Sequence, residues 1–138
     1  MNGIQNPPVD AMDMENLRRA FNPRCVAVVG DKKGNDYVWL RSLRTFTGDL
    51  YSVQVDPAEI PGIEAMGVRN YSSLLDIPDS IDYVVIAVPR SVTPRIVSEC
   101  IQKRVGAAML FTSGFAETGT KEGAELQEVL TRMARQAN

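Results

Sequence analysis

Arg24-Cys-Val-Ala-Val-Val-Gly30 runs straight into Asp31-Lys-Lys-Gly-Asn35. The apolar residues do not alternate with polar ones, so the segment reads as a strand buried on both faces, the usual setting of a parallel sheet. Gly30 allows a sharp turn, and an amphipathic segment follows it. A helix that starts there points free N–H groups and its positive end into the turn, which suits a phosphate. The competing reading is a plain strand-to-helix turn whose glycines answer a steric need.

Working outward, residues 1–13 hold a glycine, adjacent prolines and no sustained periodicity, and read as a flexible tail. Met14 to Phe21 forms a short helix, with Asp13 as its N-cap and Asn22-Pro23 as its stop. Beyond the turn, Trp39, Leu40, Leu43 and Phe46 give a helical face over 36–47, and Gly48 suits the left-handed position past its end. Leu50 to Val55 reads as a second strand with Tyr51, Val53 and Val55 on one face. Pro61, Gly62 and Gly67 break up 58–70, with an extended piece near Val68. Ser72 to Pro78 allows one helical turn, and Asp82 to Pro89 is another buried strand. Ser91 to Arg104 reads as a helix with Ser91 or Thr93 as cap, Pro94 in its first turn and Gly106 at its end. Ala107 to Thr112 is the next strand. The last helix covers 121–137, with an apolar face of Leu126, Val129, Leu130, Met133, Ala134 and Ala137, and Glu128–Arg132 paired outside.

Strands alternating with helices call for an α/β domain: a Rossmann-like three-layer arrangement with a mostly parallel sheet and right-handed crossovers, over 14–138. The chain has 138 residues, enough for one compact domain. Its net charge of -2 argues against non-specific nucleic-acid binding, and no apolar run is long enough to span a membrane. Cys25 and Cys100 lie in apolar patterns and read as buried, reduced thiols, consistent with a cytoplasmic setting. The sequence contains no histidine, so the commonest general base and metal ligand is missing, and no metal site is expected.

Ligands of such sheets bind at the carboxyl ends of the strands. Four strand ends carry candidates. The first is the turn with Gly30, Lys32, Lys33, Gly34 and Asn35, whose spacing is neither the G-x-G-x-x-G fingerprint nor a P-loop. The second is Val55-Asp56-Pro57, where Asp56 is either a ribose acceptor or a turn residue before proline. The third is Val88-Pro89-Arg90, with Arg90 facing a phosphate or simply solvated. The fourth is Thr112-Ser113-Gly114, small enough for a ligand to lie close to the backbone.

Five pieces occur together and in order: Phe21-Asn-Pro23 before Val26 to Gly30, Val55-Asp-Pro57, Tyr71 to Pro78, Ile86-Ala-Val-Pro89 and Thr112-Ser-Gly-Phe-Ala-Glu117. With these the chain resembles the N-terminal CoA-binding domain of the NDP-forming acyl-CoA synthetases, related to the alpha subunit of succinyl-CoA synthetase. The resemblance implies that Gly30, Lys32, Lys33, Gly34 and Asn35 meet the CoA phosphates. It puts Val55, Asp56 and Pro57 beside the adenosine, and Val88, Pro89, Arg90, Thr112, Ser113 and Gly114 along the rest of the cofactor. It also implies further synthetase and ATP-grasp domains as partners, a ligase as the parent enzyme, and a chain that binds CoA or acyl-CoA without catalysing alone. Asp31 departs from the family's loop by placing a carboxylate where phosphates lie, so Asp31→Ala or Asp31→Ser is expected to tighten binding. An uncovered face on the last helix is expected to drive homodimers. The alternatives are an NAD(P)-binding domain of an oxidoreductase, which Asp56 favours, and a regulatory domain that has lost its ligand.

Overall fold

The computed structural model describes residues 14–137, so the tail expected over 1–13 and the Asp13 cap lie outside the described residues. Five strands form one sheet: β1 (Cys25–Val29), β2 (Asp49–Val53), β3 (Arg69–Tyr71), β4 (Tyr83–Ile86) and β5 (Ala107–Leu110). Every pairing is parallel, in the order β3-β2-β1-β4-β5. The chain therefore builds outward from β1 in one direction, then returns to β1 and builds in the other. Val29 pairs with both Val53 and Ile86, so the carboxyl ends of β2, β1 and β4 form one level rim. A switch in strand order at that rim opens a crevice between the loops that leave in opposite directions.

All five residues of β1 are buried because both sheet faces are covered. On one face Ala27, Val29, Val84 and Ile86 pack with Ile96 and Cys100 of α4 (Thr93–Lys103) and with Leu74 and Ile77. On the other, Val28 and Val85 meet Leu40 of α2 (Val38–Ser42) and Ile63 of α3 (Ile60–Ala65). At the sheet's opposite end, Asp82 joins three elements. Its Oδ1 accepts from Arg19 of α1 (Met14–Phe21) at 2.7 Å, and its Oδ2 accepts from the N–H groups of Arg24 and Cys25.

Several local expectations are corrected. The helix expected over 36–47 starts later and is shorter, because a 3-10 turn at Lys33–Asn35 and left-handed Asp36 and Tyr37 use up its first residues. Gly48 is not in the left-handed region; a Cβ there would strike the Arg24 carbonyl and the Phe46 ring, so its role is close approach. β2 stops at Val53, leaving Val55 off the strand and exposed. The broken stretch contains α3, which accepts Pro61 in its first turn. Neither Ser91 nor Thr93 caps α4: Val92 holds the N-cap without a side-chain bond, and Thr93 Oγ1 instead donates to the Pro89 carbonyl. Arg104, not Gly106, takes the left-handed position that ends α4. Helix α5 (Lys121–Gln136) runs where expected and carries the Glu128–Arg132 pair, but it buries only Gly123 and leaves Val129 exposed.

Candidate ligand-binding cleft

A cleft of about 290 Å³ lies on the rim where β1, β2 and β4 end. Val29, Val53, Ala87, Val88, Pro89, Val92 and Ile96 form its apolar lining, and Lys32, Gln54, Asp56, Glu59, Ser72 and Arg95 its polar one. Its floor depends on Gly30. That residue has φ +90°, and a Cβ on it would lie 2.6 Å from the Ala87 carbonyl oxygen and 2.7 Å from a Val88 methyl. The ends of β1 and β4 therefore come together only because position 30 has no side chain. Gly30 N–H donates to Val53 O at 3.0 Å, and Ala87 N–H donates to Val29 O at 2.8 Å, which extends the sheet bonding to the lip of the cleft.

Asp31 does not face the cleft, contrary to the expectation from sequence. It is fully buried. Oδ2 accepts the Leu40 N–H at 2.8 Å and Oδ1 accepts the Lys32 N–H at 3.1 Å, so the carboxylate caps α2 from across the turn. Burial pushes its pKa up, and the N–H groups of Leu40, Lys32 and Trp39 hold it back in part. The positive end of α2 is thus already neutralised by the protein's own anion.

Four other amides of the turn are engaged as well. Asn35 and Tyr37 N–H donate to Lys32 O, Asp36 N–H donates to Lys33 O, and Lys33 N–H donates to Glu59 Oε2 at 2.8 Å. These bonds take four of the donors that an open amide cradle after β1 would offer, as the left-handed pair Asp36-Tyr37 folds them inward. Cationic side chains are what this side of the cleft offers an anion. Lys32 lines it at the turn and Arg95 at the start of α4, the latter bridged to Glu99 at 3.0 Å.

Gln54 holds the second wall in place. Its Nε2 donates to Asp31 O at 2.8 Å, while its Oε1 accepts the N–H groups of Val55 and Asp56. Asp56 then turns the chain toward α3 by accepting the Ala58 N–H at 2.9 Å. Glu59 stands one turn further, its Oε2 also accepting the Tyr37 hydroxyl at 3.0 Å. Burial, then this bond to Glu59, raises the Tyr37 pKa.

Of the residues singled out from sequence, Gly30, Lys32, Val55, Asp56, Val88 and Pro89 line this cleft together. Lys33, Gly34 and Pro57 stand just outside its lining, and Asn35 borders a separate groove of about 490 Å³ on the outer side of α2. The remaining four make a second group at the end of β5. Arg90 Nη1 donates to the Gly114 carbonyl at 2.7 Å and its guanidinium reaches Glu122 at 3.4 Å, while Thr112 Oγ1 donates to Val88 O at 2.8 Å. These contacts join the β4 and β5 loops, and Ser113 is exposed beside them. Glu117 accepts the N–H groups of Gly114 and Phe115, which hold its carboxyl below the ordinary range. Gln54 and Arg95 were missed by sequence reasoning. Arg95 carried a signal, since it stands in the first turn of a helix that follows a strand end.

A family profile described as CoA binding domain matches residues 24–138. An ADP-forming acetate–CoA ligase II of Archaeoglobus fulgidus is 36% identical over 124 residues, covering 86% of this chain and 18% of that protein. The alpha subunit of an ADP-forming acetate–CoA ligase I of Pyrococcus furiosus is 36% identical over 124 residues, covering 86% of this chain and 26% of that one. Among solved structures, the apo dinucleotide-forming acetyl-coenzyme A synthetase 1 of Ca. Korarchaeum cryptofilum superposes with a TM-score of 0.75. It is 34% identical and covers 88% of this chain and 26% of its own. The chain thus spans about a fifth to a quarter of the length of these relatives.

Proposed function

Since this chain belongs to the CoA binding domain family, we propose that it holds coenzyme A or an acyl-CoA in the cleft on the β1, β2 and β4 rim. The observation that carries the proposal is the coincidence of the family match with a preformed cleft at the switch point, where such sheets bind their ligands. Lys32 and Arg95 are the cations available to the pyrophosphate. Val55, Asp56 and Pro57 border the adenosine, and Val88 and Pro89 border the arm that leads toward the thiol. Arg90, Thr112, Ser113 and Gly114 shape the far end of that path, with Arg90 acting through the Gly114 carbonyl.

The domain's part in chemistry is to bind and orient. Thioester formation belongs to further domains of a longer acyl-CoA synthetase, an acid–thiol ligase whose ATP-grasp domain handles nucleotide, and the acyl group is set there. The uncovered stripe of α5 is a face for such a neighbour or for a second copy. Thermal melts with CoA, NAD and NADP test the reading. A ligand at about 100 times its dissociation constant adds roughly 2.7 kcal/mol of stability. CoA is expected to raise the melting temperature and NAD to leave it unchanged; stabilisation by NAD alone would reverse the assignment.

A further inference from the structure

Glu99, in the second turn of α4, is a buried acid whose side chain is 9% exposed, and both of its oxygens are engaged. Oε2 accepts the Ser73 hydroxyl at 2.9 Å and the buried Leu74 N–H at 3.0 Å, which fixes the loop that leaves β3. Oε1 accepts Nη1 of Arg95 at 3.0 Å, one turn earlier on the same helix. The Ser73 and Leu74 donors need an acceptor oxygen and not a charge, so an amide oxygen would serve them equally. The negative charge answers Arg95 alone. Yet the Arg95 side chain is 57% exposed, and an ion pair with an exposed arginine adds little stability. What the pair fixes is position. Arg95 lines the cleft, as does Ser72 beside Ser73, so one buried carboxylate ties both into a single wall. Among the described residues Nη1 is the one nitrogen of that guanidinium with a hydrogen bond, and Nε and Nη2 remain as donors.

We infer that Glu99 is a positioning residue for ligand binding: it holds the Arg95 guanidinium at the cleft before the ligand arrives, with its unused donors available to the ligand's phosphates. The inference rests on the CoA reading above and adds to it the residue that orders one of its cations. A free arginine that must be ordered on a ligand costs affinity, and one already held in place does not incur that cost. Bare charge argues the other way. A carboxylate near the phosphates repels them, so its removal alone would tighten binding. The two effects have opposite signs.

Isothermal titration of the full chain with CoA, on the natural sequence, Glu99→Gln, Arg95→Ala and the double variant, tests this. In Glu99→Gln the amide oxygen serves Ser73 and Leu74, and the amide N–H groups face the guanidinium, donor against donor. Arg95 is thereby released while the β3 loop keeps its acceptor. Glu99→Gln is expected to weaken CoA about fivefold, and Arg95→Ala about tenfold or more. In the Arg95→Ala background Glu99→Gln should cause no further loss. If Glu99→Gln fails to fold by circular dichroism, the natural protein carries the test. Its Arg95 Nε–H signal, assigned with Arg95→Lys, should show a backbone-like heteronuclear NOE without ligand, and the value of a freely mobile side chain overturns the inference. Equal or tighter CoA binding by folded Glu99→Gln overturns it too, as does a further loss in the double variant, which would mark a merely structural role. Unchanged binding by Arg95→Ala likewise overturns it and leaves the CoA reading intact. Failure of the natural sequence to bind CoA overturns both.

Discussion

Replacing Asp31 by alanine should destabilise the domain, whereas sequence reasoning expects it to improve ligand binding. The carboxylate is fully buried and accepts the buried Leu40 N–H at 2.8 Å and the Lys32 N–H at 3.1 Å. Alanine leaves the Leu40 donor without a partner where water does not reach, at a cost of about 1–3 kcal/mol. Loss of the second bond, from the Lys32 N–H, adds about 1 kcal/mol. An opposing term comes from the charge itself: burial raises the Asp31 pKa, so the ionised form sits in the fold at a cost that alanine removes. The net expectation is about 2–3 kcal/mol. With a urea slope of ~1.5 kcal/mol/M the midpoint falls by about 1.3–2 M. The melting temperature falls by about 10 °C. Asp31→Asn should show a smaller loss, because its oxygen replaces one acceptor while its amide hydrogens face further donors. Urea titration followed by circular dichroism reads all three proteins. An Asp31→Ala variant with the natural midpoint and tighter CoA binding would refute the capping role.

The Asp82 cluster should govern acid sensitivity. Burial raises the Asp82 pKa, but the bond from Arg19 and the N–H groups of Arg24 and Cys25 outweigh it, leaving the group below its ordinary 3.8. With the folded value lowered, its contribution is present above the unfolded pKa and lost as pH falls through the folded one. Asp82→Asn should therefore cost about 3 kcal/mol in urea at pH 7, and the gap to the natural sequence should shrink near pH 3. A gap of equal size at both pH values would contradict this. The thiols should be inert in the folded state, since burial first, with nearby carboxylates, pushes Cys25 to about 11, and burial with Glu99 pushes Cys100 to about 12. Ellman's reagent at pH 7.5 should find both only after urea is added; rapid reaction without urea would place at least one of them at the surface.

Most of the sheet was legible because β1, β4 and β5 are uninterrupted apolar runs, and Cys25–Val29 is buried on both faces as that pattern requires, whereas the short edge strand Arg69–Tyr71 carries no such run. Parallel pairing follows once strands and helices alternate, whereas the order β3-β2-β1-β4-β5 depends on β4 returning beside β1, which no local pattern encodes. Helix α3 was not legible, because Pro61 and Gly62 look like breakers. Proline is in fact tolerated in the first turn, and Gly62 makes room for the Tyr37 hydroxyl, a contact between residues far apart in sequence. The same limit applies to Asp31. Its orientation is set by the N–H of Leu40, which becomes available only after left-handed Asp36 and Tyr37 swing α2 back over the turn. Gly30, Lys32, Asp56 and Pro89 meet because the strands end level. Glu59 and Arg95 join them from helix starts whose direction only the fold supplies. Arg90 was read as facing a phosphate or solvent, and the structure instead shows its guanidinium bound to the Gly114 carbonyl.

The central claim is that CoA binds on the β1, β2 and β4 rim, and amide chemical-shift mapping of the labelled chain during a CoA titration tests it most directly. At 138 residues every backbone region can be followed. The account predicts saturable shifts centred on Gly30, Lys32, Val55, Asp56, Val88 and Arg95, with the Arg24, Cys25 and Asp82 end of the sheet unmoved. Shifts confined to the outer groove of α2 or to α5, or none at saturating CoA, would contradict it.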